Sequence, residues 1–275
     1  MRSTQTQLLR LSQGQLNLLE SCPRQFQHTY LEQLHSPRDP EHEERQTLGS
    51  RFHLLMQQRE MGLPIDTFLQ ADPQLQSWTS AFANAAPEIL AAASYRQTFR
   101  SSEHYRTLQV QDYLLTVIYD LLIADQEQAQ IFDWKTYPQP PNKRKLEQNW
   151  QTRLYLYVLA ETSEYLPENI SMTYWFVQSE GKLQSVKFIY KTAQHQQTAK
   201  KLNQLLSQLT HWLERYYCGE QFPQVPEGRK ACDYCQYATR CNRLKATSEQ
   251  MSVTKSSSGV DTTLLNLATI QEISL

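Results

Sequence analysis

Glycine is scarce in this chain, with seven residues in 275. Neither a G-x-x-x-x-G-K-[ST] loop nor a G-x-G-x-x-G turn occurs, so the sequence excludes the glycine-rich loops that bind nucleotide phosphates. An excess of charge is also missing, because the formal net charge is −1 with histidine neutral. Any binding of nucleic acid must therefore depend on local basic patches.

Long apolar runs are missing as well. No segment approaches the roughly 18 to 20 apolar residues of a membrane-spanning helix. The first residues, MRSTQTQLLRLSQGQ, lack the apolar centre of a secretory signal peptide. These absences predict a cytoplasmic protein. In that reducing compartment, the five cysteines are expected to include metal ligands and not to form a disulfide framework.

The remaining composition is that of a folded protein, with 40% hydrophobic residues and a length sufficient for one large domain. Periodicity and turn residues predict the following elements: two helices from the N-cap Ser12, separated at Cys22-Pro23; helices near 44–61 and 73–93; strands at 104–110, 113–125 and 129–137; a Pro-rich basic loop at 137–148; a helix at 149–165; strands at 171–178 and 184–191; and a helix at 192–218. The first three strands predict an antiparallel meander in an α/β protein.

The C-terminal residues differ in composition from this core. Residues 246–275 begin with a Ser/Thr/Gly-rich stretch, which predicts a flexible, disordered tail. The last twelve residues, LLNLATIQEISL, carry apolar side chains and are also compatible with a short docking peptide.

An acidic and a basic residue follow each other at the end of the third predicted strand. Strand alternation puts Asp133 and Lys135 on one face, and Asp120 lies inside the preceding strand, where an unpaired carboxylate is costly to bury. If the two aspartates converge, a divalent cation between them offsets that cost, and their hard oxygen atoms suit Mg²⁺ or Mn²⁺. The alternative is a structural salt bridge between Asp133 and Lys135.

Lys135 would face the same pocket as this cation. There it can orient or deprotonate a metal-activated water, and we expect the cation and partial desolvation to depress the pKa of Lys135. Such a site suits hydrolysis of a phosphodiester, because the ammonium stabilises the negative charge that develops.

Three further polar residues are candidates for the same site. Gln151 and Tyr155 are four residues apart, hence on one face of the predicted helix, where an amide and a hydroxyl can hold a phosphate, a water or Lys135. His53 lies among apolar residues and is either a core histidine or a ligand for Mn²⁺.

Together these residues resemble the RecB-family nucleases of the PD-(D/E)xK superfamily, whose pattern runs G-x-x-x-H, G-x-x-D, D-x-K, Q-x-x-x-Y. Gly49 and His53 match its first part, and the others follow in order. The resemblance implies a restriction-endonuclease-like α/β core, a mixed central sheet flanked by helices, with helical N-terminal additions. It also implies the following roles: metal ligation by His53, Asp120, Asp133 and the Trp134 carbonyl, catalysis by Lys135, and substrate contact or positioning by Gln151 and Tyr155.

One position departs from that pattern. The glycine expected three residues before the second-motif aspartate is Val117. A valine there is expected to alter the approach of DNA or metal to the backbone.

The C-terminal sequence ACDYCQYATRC spaces three cysteines as Cys232-x2-Cys235-x5-Cys241. Such spacing indicates a metal site, and Cys22 is the best candidate for a fourth ligand. From ligand type alone, zinc and a [4Fe-4S] cluster are both allowed. Cys218 is expected to be a buried thiol outside this set.

One cysteine far upstream and three downstream are similar to the iron-sulfur motif of AddB-type helicase-nucleases and CRISPR-associated RecB-like nucleases. This resemblance favours a [4Fe-4S] cluster, with zinc as the alternative, and a C-terminal segment clamped by cysteines. Residues 1–245 would then form one nuclease domain. Basic residues on two segments are expected to contact a DNA backbone: Lys143, Arg144, Lys145, Arg229, Lys230, Arg240, Arg243 and Lys245.

The resemblance therefore implies a metal-dependent deoxyribonuclease that acts on single strands or DNA ends in repair, recombination or CRISPR adaptation. Two alternatives stay open. One is a non-catalytic iron-sulfur DNA-binding subunit that acts with a helicase or another nuclease. The other is a nuclease directed at RNA.

Overall fold

A mixed six-stranded sheet with helices on both faces forms the larger part of the protein. The computed structural model describes residues 8–34, 40–90, 98–137, 142–178 and 183–243. The predicted tail at 246–275 and Lys245 lie outside these ranges. Within them, every helix is too short or too polar to cross a lipid bilayer.

The chain divides into two compact units, Met1–Val225 and Pro226–Leu275. The first unit contains the following strands: β1 (Leu9–Leu11), β2 (Phe99–Val110), β3 (Tyr113–Ala124), β4 (Ala129–Lys135), β5 (Ile170–Phe176) and β6 (Gln184–Ile189). Its α-helices are α1 (Gln13–Ser21), α2 (Pro23–Phe26), α3 (Pro40–Glu60), α4 (Asp66–Ala71), α5 (Pro73–Ala85), α6 (Pro87–Leu90), α7 (Lys143–Gln148), α8 (Trp150–Glu161) and α9 (Thr192–Tyr217).

The sheet mixes both pairing directions. Strand β3 pairs antiparallel with β2 along one side, and on its other side it pairs first with β1, in parallel, and then with β4, antiparallel. Strand β4 pairs in parallel with β5, and β5 pairs antiparallel with the edge strand β6. The predicted meander of β2, β3 and β4 and the mixed α/β class are thus confirmed.

Two clusters of buried side chains hold helices to the sheet. The larger joins α1, α8 and α9 to the sheet, with Trp150 and Leu206 fully buried. The smaller joins α3 and α5 to the ends of β3 and β4, through residues such as Phe52, Phe82 and Trp134. Helix α9 packs through one apolar stripe, whereas α8 is buried on most of its surface because neighbouring elements cover it on several sides.

Inside-outside alternation along β3 is interrupted at Asp120. Tyr113, Leu115, Val117 and Tyr119 all join the larger cluster, but the next odd-numbered residue, Leu121, joins the smaller one. From Leu122 onward the even-numbered positions face the larger cluster. The strand therefore changes faces at one acidic residue, which simple period-two alternation does not predict.

Several element boundaries differ from the predicted ones. The predicted helix at 73–93 is interrupted at Ala86, whose φ of −139° is not helical, because the residue before a proline is disfavoured in helical conformation. The predicted basic loop at 137–148 contains a short helix, α7, whose N-cap is Asn142: its side-chain oxygen accepts a hydrogen bond of 2.9 Å from the Arg144 backbone N–H. Strand β1 was not predicted, because three residues are too few for a periodic signal.

The second unit is described only over residues 226–243. Turns and one short 3₁₀ segment, Lys230–Cys232, make up this part. Backbone hydrogen bonds from Cys235 to Cys232 (3.3 Å) and from Cys241 to Tyr237 (3.0 Å) fold it locally. In the first unit, Cys218 is exposed at the end of α9, so the prediction of a buried thiol was wrong. That position follows the last turn of the helix, where its apolar stripe has ended.

Candidate active site

Strands β3 and β4 separate where their two aspartates lie. Their last paired residues are Leu121 and Phe132, so continued pairing would place Asp120 opposite Asp133. Instead, the backbone N–H of Trp134 donates a hydrogen bond of 2.6 Å to Asp120 Oδ2. A side-chain carboxylate thus replaces the backbone acceptor at the point where the ladder ends.

A third carboxylate, that of Glu103, lies on the other side of Asp120. The pairs Ser102–Leu121 and His104–Tyr119 flank it, which leaves Glu103 opposite Asp120 outside the regular ladder. Glu103 has a φ of +47°, in the left-handed region that residues other than glycine seldom adopt.

Helix α3 brings a histidine to these carboxylates. His53 Nδ1 lies 3.2 Å from Asp120 Oδ1. One ligand atom from each of His53, Glu103 and Asp120 lies within 4.8 Å of the other two. Imidazole nitrogen and carboxylate oxygen are donors that Mn²⁺ accepts, and the oxygens also suit Mg²⁺, so these residues fit a divalent cation.

Asp133 belongs to a second, adjacent network. Its Oδ1 lies 2.6 Å from Lys135 Nζ, and its Oδ2 accepts a 2.5 Å hydrogen bond from Gln151 Nε2. Lys135 Nζ in turn donates to Gln151 Oε1 at 2.8 Å. The three side chains close a ring in which the amide of Gln151 holds both the acid and the base.

The first turn of α8 sets the position of Gln151. The Asn149 side chain caps this helix by accepting the backbone N–H of Gln151 at 2.8 Å. One turn further, Tyr155 is buried and lines the same cleft as Gln151. The hydroxyl of Tyr119 donates to the backbone oxygen of Tyr155 at 3.0 Å, which ties α8 to β3.

Burial and charge change the proton affinity of the Asp133 network. Burial raises the pKa of Asp133, which is only 2% exposed, and the Lys135 ammonium opposes that shift. Burial alone would lower the pKa of Lys135, but the Asp133 carboxylate more than offsets this effect, and the pKa is raised. The expected depression of the Lys135 pKa was therefore wrong for the metal-free site, because the Asp133 carboxylate on the same strand face outweighs the effect of burial.

His53 shows a similar competition. Burial lowers its pKa, but the hydrogen bond to Asp120 and the negative charge of that carboxylate raise the pKa to about 9. The pKa of Glu103 is raised, first by burial and then by the charge of Asp120. These shifts show that the metal-free site concentrates negative charge that a proton partly neutralises.

The side chains of both networks, together with Tyr155, line one open cleft of about 620 Å³. The cleft also exposes apolar groups, because Leu54, Ile118 and Tyr137 are each more than a third accessible to solvent. The structure thus brings together all the site residues predicted within the first unit: His53, Asp120, Asp133, Trp134, Lys135, Gln151 and Tyr155.

Val117, which departs from the motif glycine, does not face this cleft. Its side chain is 1% exposed and belongs to the larger core cluster. Ile118, the next residue, is the one that lines the cleft. The substitution therefore adds apolar contacts in the core and leaves the site accessible.

Gly49 has a packing role that the sequence motif does not explain. A Cβ atom at Gly49 would lie 2.6 Å from Thr136 Oγ1, closer than real Cβ contacts allow. Helix α3 can thus approach the end of β4 only because position 49 has no side chain. This approach holds His53, one turn further along α3, beside Asp120.

Glu103 is a candidate metal ligand that the sequence pattern did not predict. It is the fifth residue of a long strand with no motif around it, and only pairing with β3 puts it opposite Asp120. A sequence feature that could have indicated Glu103 is that Asp120, its partner on β3, lies between an aromatic and an apolar residue.

The four predicted cluster ligands, Cys22, Cys232, Cys235 and Cys241, are all partly buried, and none forms a disulfide. Cys22 lies between α1 and α2 in the first unit, and the other three lie in turns of the second. Partly buried thiols in turns are compatible with either zinc or an iron-sulfur cluster.

One sequence profile and two solved structures are similar to this chain. The sequence profile of the PD-(D/E)XK nuclease superfamily matches residues 10–242. No curated protein matches the chain. The crystal structure of a candidate exonuclease from Eubacterium rectale is similar in fold, with 11% identity, a TM-score of 0.51 and coverage of 92% of this chain and 96% of that one. The crystal structure of SSO0001 aligns with 12% identity, a TM-score of 0.40 and coverage of 87% and 89%.

Substitution of Gly49 by alanine should destabilise the protein, by about 1–3 kcal/mol, because the new methyl overlaps Thr136. Most of this loss should disappear in the Gly49→Ala/Thr136→Ala double variant, where the remaining Cβ separation of 3.6 Å is an ordinary contact. Urea denaturation measures the free energy of unfolding of the single and the double variant. Gly14→Ala, in a helix with its nearest atom at 3.9 Å, is the matched control and should be neutral or slightly stabilising. Equal losses in the single and double variants would contradict the contact.

Protonation of His53 should stabilise the metal-free protein. Because the folded-state pKa of about 9 lies above the ordinary 6.5, this stabilisation is complete below pH 6.5 and is lost as the pH rises through 9. The unfolding free energy of the wild type, measured in chelator, should therefore fall over this range relative to that of His53→Gln. His211→Gln, on an exposed position of α9, should follow the wild type. Parallel pH profiles for wild type and His53→Gln would refute the assignment.

Proposed function

The chain belongs to the PD-(D/E)XK nuclease superfamily, and on that basis we propose that it is a metal-dependent nuclease that hydrolyses phosphodiester bonds in DNA. One observation carries this proposal: a histidine, two aspartates, a lysine and a glutamine from four separate elements meet in one open cleft. The pattern of these residues, resembling that of RecB-family nucleases, supports placement in that subgroup.

The proposed metal ligands are His53, Asp120, Asp133 and the Trp134 carbonyl. A bound Mg²⁺ or Mn²⁺ would neutralise phosphate charge and acidify a water molecule. The hydrogen bond from Trp134 N–H orients the Asp120 carboxylate. That bond leaves Oδ1 of Asp120 directed towards His53.

Lys135 acts in this proposal as a cation and not as a base. Its raised pKa, caused by Asp133, keeps the ammonium protonated at neutral pH. An ammonium beside the scissile phosphate stabilises the negative charge that develops on the phosphoryl oxygens. It can also hold the attacking water through one of its N–H donors.

Gln151 holds Asp133 and Lys135 in a fixed arrangement. Its carbonyl accepts from Lys135 and its amide donates to Asp133, so it restricts both side chains at once. Tyr155 lies one turn further along α8, is buried and lines the same cleft. We assign both residues to positioning the site, with contact to DNA as a further role.

The substrate we propose is single-stranded DNA or DNA with a free end. The cleft is open, and Leu54, Ile118 and Tyr137 offer apolar surface to unstacked bases beside the acidic residues. Lys143, Arg144 and Lys145, exposed on α7, are candidates for contact with the phosphate backbone. Repair, recombination and CRISPR adaptation, in the cytoplasm and with a helicase partner, are the settings that the resemblance implies.

We also propose that Cys22, Cys232, Cys235 and Cys241 bind a [4Fe-4S] cluster. Their spacing along the chain and their partial burial support this assignment. Residues 1–245 would then function as one nuclease domain. Such a cluster would stabilise the fold by closing a long loop, since the first ligand is far from the other three in sequence.

Removal of the Asp133 carboxylate or of the Lys135 ammonium should strongly slow cleavage. Asp133→Ala and Lys135→Ala should each reduce the rate at least ~100-fold, because the first removes a proposed metal ligand and the second removes the cation that stabilises negative charge on the phosphoryl oxygens. End-labelled single-stranded DNA, double-stranded DNA and RNA, incubated with Mg²⁺ or Mn²⁺, distinguish the substrates and separate endonuclease from exonuclease products. Asp112→Ala and Lys187→Ala, at exposed positions outside the cleft, are matched controls that should retain activity.

If wild type and variants bind DNA but leave every substrate intact, the protein is instead a non-catalytic DNA-binding subunit. Cleavage of RNA alone would replace DNA as the substrate. Circular dichroism of each variant confirms that a lost activity is not a lost fold.

Anaerobic purification should yield about four iron and four sulfide ions per chain, the content of one [4Fe-4S] cluster. Cys235→Ser should lower the iron content and the thermal unfolding midpoint. Cys218→Ser, at an exposed cysteine outside the proposed ligand set, is the control and should change neither. Stoichiometric zinc in place of iron would refute the cluster.

A further inference from the structure

Glu103 lies at the site without belonging to the motif pattern. Its carboxylate, the Asp120 carboxylate and the His53 ring each offer a ligand atom within 4.8 Å of the other two. The three side chains come from three different elements, β2, β3 and α3. Their convergence is thus a product of the tertiary fold.

The surroundings of Glu103 offer little charge compensation. Among the described residues, no lysine or arginine forms an ion pair with it. His53, the nearby positive partner, is already paired with Asp120. Two carboxylates beside one histidine leave an excess of negative charge in a partly buried cleft, which a divalent cation would neutralise.

The backbone conformation of β2 also indicates that the Glu103 carboxylate is held at the cleft. Glu103 interrupts an otherwise continuous ladder and adopts a left-handed conformation, with a φ of +47°. Asparagine, aspartate and glycine adopt this conformation more readily than glutamate does. The long carboxylate is held at the cleft in spite of that preference.

From this arrangement we infer that Glu103 is a ligand of the divalent cation, together with His53 and Asp120. This inference rests on the proposed nuclease function and extends it by one residue. A further carboxylate adds a hard oxygen donor and one negative charge to the ligand set. Both changes favour Mg²⁺ or Mn²⁺ over softer metals.

A purely structural glutamate and a metal ligand at position 103 would affect the stability of the metal-free protein in opposite ways. A structural glutamate would stabilise the metal-free fold, so its neutralisation would lower the unfolding midpoint. A ligand glutamate is repelled by Asp120 until the cation binds, so its neutralisation should leave the midpoint of the metal-free protein unchanged or raise it.

The test is a titration of the full-length protein with Mn²⁺ by calorimetry, beside thermal unfolding with and without Mn²⁺. Glu103→Gln should weaken Mn²⁺ binding at least ~10-fold and reduce the rise in unfolding midpoint that Mn²⁺ produces. The midpoint of the metal-free variant should not fall. Glu127→Gln, at an exposed turn, is the matched control and should bind Mn²⁺ like the wild type.

A second variant, Glu103→Asp, keeps the charge and suits the left-handed backbone, but it withdraws the carboxylate by one methylene. It should also bind Mn²⁺ more weakly than the wild type. Wild-type affinity in both variants, or a lower metal-free midpoint with an unchanged Mn²⁺ effect, overturns the role of Glu103. Absence of Mn²⁺ binding by the wild type itself would instead refute the proposed nuclease function.

Discussion

Burial of the Asp133 carboxylate is the constraint on which the site depends. A carboxylate that is 2% exposed is unfavourable unless it is paired and hydrogen-bonded. Lys135 supplies the pairing from the same strand, and Gln151 supplies the hydrogen bond from α8. Because Gln151 also accepts from Lys135, strand and helix are fixed relative to each other by the same three side chains that the proposed reaction needs.

The divergence of β3 and β4 makes room for this arrangement. Continued pairing would have brought Asp120 and Asp133 face to face, with strong repulsion between them. The strands separate instead, and the Asp120 carboxylate accepts a hydrogen bond from the Trp134 backbone N–H. Helix α3 packs closely against Thr136, which follows β4, because position 49 has no side chain. The cleft therefore results from the early end of the pairing between β3 and β4 and from the close packing of α3.

Sequence patterns predicted most of the secondary structure, because the signals are local. The meander of β2, β3 and β4, the helix α8 and the long helix α9 all have clear periods, and their ends were predicted to within a few residues, except that β2 begins five residues earlier. Two errors in the predicted boundaries have local causes that periodicity does not show. Pro87 interrupts a helix that continues in pattern, and the capping residue Asn142 starts α7 inside a segment whose prolines predict a loop.

The features of the candidate site likewise divide into those that local sequence patterns predict and those that depend on contacts between elements. Alternation in a strand was sufficient to place Asp133 and Lys135 together, and spacing in a helix was sufficient for Gln151 and Tyr155. Neither pattern carries information on electrostatics between elements. The pKa of Lys135 was expected to fall and is raised, because the partner that dominates it is the anion Asp133 and not a cation. The approach of DNA or metal was expected to change at Val117, whose side chain instead packs in the core.

The sequence by itself determined the order of strands and helices, the superfamily pattern and the pairs of side chains that share one face. These follow from backbone periods of two and 3.6 residues, which act over short distances along the chain. Only the tertiary structure decided that Glu103 lies opposite Asp120, that Gly49 meets Thr136 and that Gln151 bridges the acid and the base. Each of these depends on strand register or on helix packing between distant segments, and no local period encodes either.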